Sequence, residues 1–177
     1  MMTDITMRMI TPEDVAALSF ISKETFYDTF TGTCSPDDMD HFLEKYYNEE
    51  TLLGELKEEG LEYFFAETEG KAIGYLSFRD ENPDFNEIKG STALELKRFY
   101  VIKEFHGRGV AKHMMDFFIL HATSQAYDEV FLGVWEFNYR AQKFYSKYGF
   151  QMTNHRHDFP IGNTPQTDVY MIKYLKQ

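Results

Sequence analysis

The sequence predicts an α/β or α+β sandwich in which helices cover both faces of a sheet of about seven strands. Three observations predict it. Hydrophobic periodicity switches along the chain in the order β, two or three α, βββ, α, β, α, ββ, a mixture that a regular βαβα doubly wound sheet would not give. Turn and cap residues mark each switch. Finally, 177 residues that are 43% hydrophobic, with seventeen Phe and twelve Tyr, supply ample apolar area for a core, while five Pro and eleven Gly are too few for a disordered chain. No repeat, low-complexity tract or linker rich in Pro and Ser interrupts the pattern, so residues 1–177 read as one domain.

Residues 6–10 read as the first strand. Thr11-Pro12-Glu13-Asp14 then offers an N-cap, a proline at the first helical position and acids in the first turn, so a helix is expected to run to about Phe30. Ser35-Pro36-Asp37-Asp38 repeats that signal ahead of Met39, Phe42, Leu43 and Tyr46, whose spacing puts them on one helical face. Asn48-Glu49-Glu50 caps a third short helix. Residues 63–66 and 72–78 are aromatic-rich and flank Glu69-Gly70, which reads as the turn of an antiparallel pair. Residues 93–102 read as a strand, 110–126 as a long helix, 130–135 as a strand and 138–148 as a helix. Residues 150–157 and 167–174 close the sheet.

A single cysteine, Cys34, cannot make an intrachain disulfide or a thiolate zinc site, which fits a reducing cytoplasm. Its polar turn supplies no base to make it a nucleophile. The opening ten residues lack the continuous apolar stretch of a signal peptide, and no run approaches the ~18 apolar residues of a membrane span. The net charge of −11 is uneven: residues 1–70 hold 17 Asp or Glu against 4 Lys or Arg, and residues 71–177 hold 12 against 14. Such an acidic face repels nucleic acid and attracts a cationic small molecule or basic peptide, although acidity also serves solubility. His113, His121, His155 and His157 have no carboxylate or cysteine at ligand spacing, so no metal is expected.

The most informative stretch runs from Leu94 to Lys112, a strand, a glycine turn and a helix start. Gly107 and Gly109 let the backbone approach a ligand, and the unpaired N–H groups at the helix start favour a phosphate, with Arg108 and Lys112 adding positive charge. A dinucleotide fingerprint would need glycine where Lys112 stands, and the Gly-Lys-Ser/Thr of a P-loop is absent. A glycine turn that merely joins strand to helix is the plain alternative. Residues 106–111 resemble motif A of the GCN5-related N-acetyltransferase (GNAT) superfamily, Arg/Gln-x-x-Gly-x-Gly/Ala, with His106 departing from it at the first position. Residues 138–150 resemble the superfamily's motif B, Asn-x-x-Ala-x-x-Phe-Tyr-x-x-x-Gly-Phe, through Asn138, Ala141, Phe144, Tyr145, Gly149 and Phe150. Physically, Asn138 is a good N-cap, Ala141, Tyr145 and Tyr148 share a helical stripe, and Gly149 can end the helix in αL. Glu24 to Phe30, Ser35-Pro36-Asp37, Leu132 to Glu136 and Gln166-Thr167-Asp168 further resemble the PaiA-type polyamine N-acetyltransferases.

The resemblance implies a mostly antiparallel mixed sheet splayed between its fourth and fifth strands, acetyl-CoA as donor, spermidine, spermine or a similar small amine as acceptor, and a homodimer as one arrangement. It implies that the backbone near Phe99 and Val101 holds the pantetheine arm. It also implies coenzyme contacts from His106, Gly107, Arg108, Gly109, Val110, Ala111, Lys112, Asn138 and Lys147. Tyr145, with a pKa near 10 when unperturbed, is placed beside the coenzyme sulfur as a proton donor. Glu95 falls where the histone-acetylating branch carries its base, although an ion-paired strand glutamate is an equal reading. Glu24 and Asp28, four apart on the first helix, could hold a distal ammonium or form an acidic solvated face. Trp135 could line the acceptor site by cation–π attraction or belong to the core. The rival functions are the same fold acting on a protein N-terminus, a lysine or an aminoglycoside, and a coenzyme A-binding domain without turnover.

Overall fold

In the computed structural model, which describes residues 4–176, the acid-rich opening folds as β1 (Thr6–Met9), α1 (Val15–Phe30), α2 (Pro36–Tyr46) and α3 (Glu49–Leu56). The first three residues and the last, part of the domain and of the opening segment read above, lie outside the described residues. Then come β2 (Leu61–Thr68), β3 (Lys71–Asp80), β4 (Ala93–Val101), α4 (Val110–Ser124), β5 (Glu129–Trp135), α5 (Tyr139–Lys147), β6 (Gln151–Asp158) and β7 (Thr167–Tyr174).

The punctuation works as the residue chemistry requires. Ser35 Oγ accepts from Asp38 N at 3.1 Å and Asn48 Oδ1 from Thr51 N at 2.8 Å, each satisfying an amide that the first helical turn leaves free. Pro12 instead opens a 3₁₀ turn, so regular α1 begins only at Val15. Arg8 pins that turn by reaching both Asp14 and Glu67 at 2.8 Å. Glu69 and Gly70 take φ of 50° and 73°, the left-handed pair that a two-residue hairpin turn needs. One core position differs from expectation. Tyr46 is 40% exposed while Tyr47 is buried, because α2 ends at Tyr46 and the next residue, at φ −122°, turns its ring to within 5.4 Å of Phe26.

The seven strands lie in the order β1-β2-β3-β4-β5-β7-β6, antiparallel except for β4 and β5. That parallel pair is short: Ala93, Leu94 and Glu95 oppose Glu129, Val130 and Phe131, and there the pairing ends. Beyond it β4 stays with β3 as far as Val101, and β5 stays with β7 as far as Trp135 opposite Asp168, so the sheet forks. A bulge sits at the fork. Ser77 faces Arg98 but Phe78 faces Leu96, leaving Lys97 as an extra residue that bends β4 and increases its twist.

Helices α4 and α5 cover one face over a core of Leu76, Phe78, Met114, Phe118, Leu132 and Met171. Helices α1 to α3 cover the other, over Leu18, Phe26, Tyr63, Phe65 and Tyr75. Arg98 is drawn into this second core by Glu55 of α3 at 3.0 Å and lies over the Tyr47 ring at 5.0 Å. Burial pushes the Glu55 carboxyl up, but Arg98, a hydrogen bond from Tyr63 and Lys97 together hold it below its ordinary value. The pair is thereby anchored as an ion pair, and it fixes α3 to the bulge. None of the helices among the described residues is long and apolar enough to cross a membrane.

Close packing of α4 on the sheet depends on Gly74, where a Cβ would sit 2.8 Å from the Tyr100 carbonyl oxygen and 3.0 Å from Met114 Sδ. Gly74→Ala is therefore expected to destabilise by about 1–3 kcal/mol, read as a lower denaturant midpoint at unchanged slope. An unshifted midpoint would show that β3 and α4 can part without cost.

Candidate active site

The fork between β4 and β5 opens into a cleft of about 800 Å³ that runs between the two helical layers. On one side the β5-facing edge of residues 96–101 has no strand partner, so its backbone groups other than the Val101 carbonyl, which His106 bonds, are open to a ligand. Phe99 and Val101 line the cleft at this edge, and Asn138 and Ala141 line it from α5. Asn138 caps α5 by accepting from Ala141 N at 3.1 Å.

The glycine turn lies at the end of that edge. Gly107 and Gly109 adopt φ of 75° and 87°, and Gly109 is the N-cap of α4, with Val110 buried as its first residue. Arg108, Gly109 and Lys112 line a smaller depression of about 350 Å³ with Asp4 and Asp116. Lys112 is held by Asp116 at 2.6 Å, so part of the positive charge expected at the helix start is already neutralised. Free amides at a helix N-terminus still favour an anion there. His106 acts as a clamp: Nε2 lies 2.8 Å from the Val101 carbonyl and Nδ1 lies 3.0 Å from Arg140 Nη1. A guanidinium can only donate, so Nδ1 accepts and Nε2 carries the proton toward Val101. The imidazole thus ties the turn to β4 and α5.

Tyr145 stands at the fork, 6% exposed, its ring 6.1 Å from Phe99. Burial, with a smaller contribution from the Asp168 charge, pushes its phenol above the ordinary value, so the hydroxyl remains protonated at neutral pH.

The far side of the cleft is aromatic. Phe26 stacks on Phe30 at 4.4 Å and on Phe42 at 4.6 Å, and Phe30 meets Trp135 at 5.1 Å and Phe159 at 5.6 Å. Trp135 is oriented by a bond from Nε1 to Gln166 Oε1 at 2.8 Å, and Gln166 donates in turn to Thr33 Oγ1 at 3.2 Å. Asp28 lies exposed on the rim of this wall.

Of the residues singled out in the sequence, Glu24, Glu95, Gly107, Val110 and Lys147 line neither this cleft nor the depression at the glycine turn. Glu24 is half-buried one turn before Asp28, its carboxyl pushed up by burial and then by the Glu104 and Asp28 charges. Glu95 belongs to the last rung below the fork and is gripped by Arg79 Nε at 2.7 Å. Lys147 is exposed in the last turn of α5. Conversely, the cleft contains a carboxylate to which sequence reasoning gave no role. Asp168, at the start of β7, has no hydrogen bond or ion pair among the described residues, and burial pushes its pKa up to about 7. Gly133 makes room for it, since a Cβ there would lie 3.2 Å from Asp168 Oδ2. Its only local signal was the Gln166-Thr167-Asp168 run. Among the described residues no three His, Cys, Asp or Glu side chains converge as a metal would require.

Comparison with known proteins agrees with this layout. A family model described as the acetyltransferase (GNAT) family matches residues 23–150. An uncharacterised N-acetyltransferase of Lactobacillus delbrueckii subsp. lactis is 35% identical over 98% of this chain and 99% of its own length. A "Probable spermine N(1)-acetyltransferase" of Bacillus subtilis subsp. natto is 30% identical over 47% of this chain and 55% of its own. Among solved structures, the PaiA N-acetyltransferase of Thermoplasma acidophilum in complex with coenzyme A superposes with a TM-score of 0.78 at 20% identity, covering 97% of this chain and 99% of that one.

Proposed function

The chain belongs to the acetyltransferase (GNAT) family, and from that premise we propose that it moves the acetyl group of acetyl-CoA directly onto a primary amine of a polyamine or a similar small amine. The observation that carries this reading is the fork itself. An unpaired strand edge and a buried phenol line one cleft that reaches the start of α4 at Ala111, with the glycine turn in an adjoining depression, and the opposite wall is aromatic with Asp28 on its rim.

Acetyl-CoA supplies an acyl group activated as a thioester. Residues 96–101 offer backbone hydrogen bonds to its amide-containing arm, and the free amides at the start of α4 suit its phosphates. Tyr145 donates a hydrogen bond to the departing sulfur and stabilises the charge that develops there. Phe30 and Trp135 offer ring faces to an alkylammonium, and Asp28 offers a carboxylate to a second one. The acidic first 70 residues of the chain and the partial likeness to the spermine acetyltransferase support a polycationic acceptor.

Release of free coenzyme A from acetyl-CoA tests this, comparing spermidine with a mono-amine, a lysine peptide, an aminoglycoside and a blank without acceptor. Spermidine is expected to give the highest kcat/KM. Turnover confined to the peptide or the aminoglycoside would replace the acceptor, and coenzyme binding without any turnover would leave a binding domain.

A further inference from the structure

We propose that Asp168 is the general base of the transfer, removing the proton from the acceptor's ammonium so that a neutral nitrogen attacks; the proposal rests on the transferase reading above. The geometry carries it. Asp168 lies opposite Trp135 in the last rung of β5 and β7, which places it between the aromatic wall and the fork where Tyr145 stands. Its carboxylate is half-buried and unpartnered among the described residues, whereas a strand-start aspartate serving only structure would be capped or paired. Gly133, without a Cβ, keeps the space over Oδ2 open. The other carboxylates near the cleft are otherwise engaged or placed: Glu95 is held by Arg79, Glu55 by Arg98 and Lys97, and Asp28 is exposed on the rim.

The groups around Asp168 are compatible with that work. Tyr145 on α5, Tyr100 on β4 and Tyr170 on β7 feel its charge, and burial pushes all three phenols above their ordinary value, so all remain neutral. His157 of β6 is its cross-strand neighbour and lines the same cleft. Of the cations in the wall, Arg98 and Lys97 are paired with Glu55, Arg140 with His106, and Lys103 lies past the far end of β4. Among the described residues neither these cations nor His157 forms an ion pair with the Asp168 carboxylate.

The protons balance. Asp168 takes one from the ammonium and passes it to water. The nitrogen lone pair forms the C–N bond at the thioester carbon, and the C–S bond breaks with its electron pair on sulfur. Tyr145 protonates that sulfur and regains a proton from the nitrogen as the amide forms. One ammonium and one thioester become one amide, one thiol and one proton in solution.

Profiles of kcat/KM against pH for spermidine, with coenzyme A affinity measured separately, test the proposal. The unaltered protein is expected to rise to a plateau above a midpoint near 7. Asp168→Asn is expected to lose about 100-fold at neutral pH, bind coenzyme A normally, and keep rising toward the amine's own pKa near 10 because only free amine now reacts. Asp168→Glu should restore the plateau. A purely structural role would lower the rate without changing the profile, and that result, or an Asp168→Asn enzyme within threefold of the original, overturns the proposal. So does an unaltered enzyme with no limb near 7, should Asp168→Asn not fold. Failure of the unaltered protein to acetylate spermidine or any other amine would instead overturn the transferase reading, and the base with it.

Discussion

Tyr145→Phe is expected to lower kcat by about 100-fold while leaving coenzyme A affinity within about twofold and thermal stability nearly unchanged. The separation follows from what the ring and the hydroxyl each do. The ring is packed at 6.1 Å from Phe99 and 5.9 Å from Phe150, contacts that phenylalanine keeps. The hydroxyl makes no hydrogen bond among the described residues and opens on the cleft, so its removal leaves no buried partner unsatisfied. What is lost is the donor for a sulfur that becomes negative only as the C–S bond breaks, an interaction absent from the ground state, so turnover falls and binding does not. Steady-state kinetics of coenzyme A release and calorimetric titration with coenzyme A check the two halves. An unchanged kcat on folded protein would remove Tyr145 from the chemistry.

The position of Tyr145 on α5 was legible in the sequence because what sets that helix is local, while its chemical role came only from the resemblance to the family. Asn138 starts α5, Gly149 ends it at φ 85°, and helical spacing between them fixes which side faces the fork. The hairpin at Glu69-Gly70, the caps at Ser35 and Asn48 and the glycine turn before α4 were legible for the same reason. Glu95 shows where local reading ends. Simple alternation puts Glu95, Lys97, Phe99 and Val101 on one face of β4. The extra residue at Lys97 reverses the alternation, so Phe99 and Val101 join Leu94 and Leu96 over the α4–α5 core while Glu95 is left facing the other way, on Arg79. A bulge is set by tertiary packing, here by Arg98 reaching Glu55 across the sheet. Asp168 and the aromatic wall were hidden likewise. They depend on the register of β5 with β7 and on how α1 and α2 lie over it, which no short window of sequence encodes.

Asp168→Asn is expected to melt higher than the unaltered protein at pH 8, by about 5–10 °C, and at the same temperature near pH 4. In the unfolded chain this carboxyl loses its proton near 3.9, but in the folded protein burial holds the proton until about 7. Below pH ~4 both states are protonated and the group is silent. Between about 4 and 7 the unfolded chain binds fewer protons than the native one, so stability declines as pH rises; above about 7 the full penalty of a buried, unpaired charge remains. A shift from 3.8 to about 7 corresponds to roughly 4 kcal/mol at most. Asparagine never ionises and escapes the penalty, so the gap between the two proteins should open through this window and then level off. Adding spermidine to the unaltered protein at pH 8 should narrow the gap, because an ammonium beside Asp168 compensates the charge. Melting curves without coenzyme at several pH values read it directly. A gap independent of pH would mean that Asp168 is hydrated or paired in solution. A gap that widens as the pH falls would reverse the sign and refute the account. With the expected gap, which opens as the pH rises, the wild-type carboxylate is a group that destabilises the free protein and is retained for the proton it removes, as expected where a catalytic group is buried without a partner.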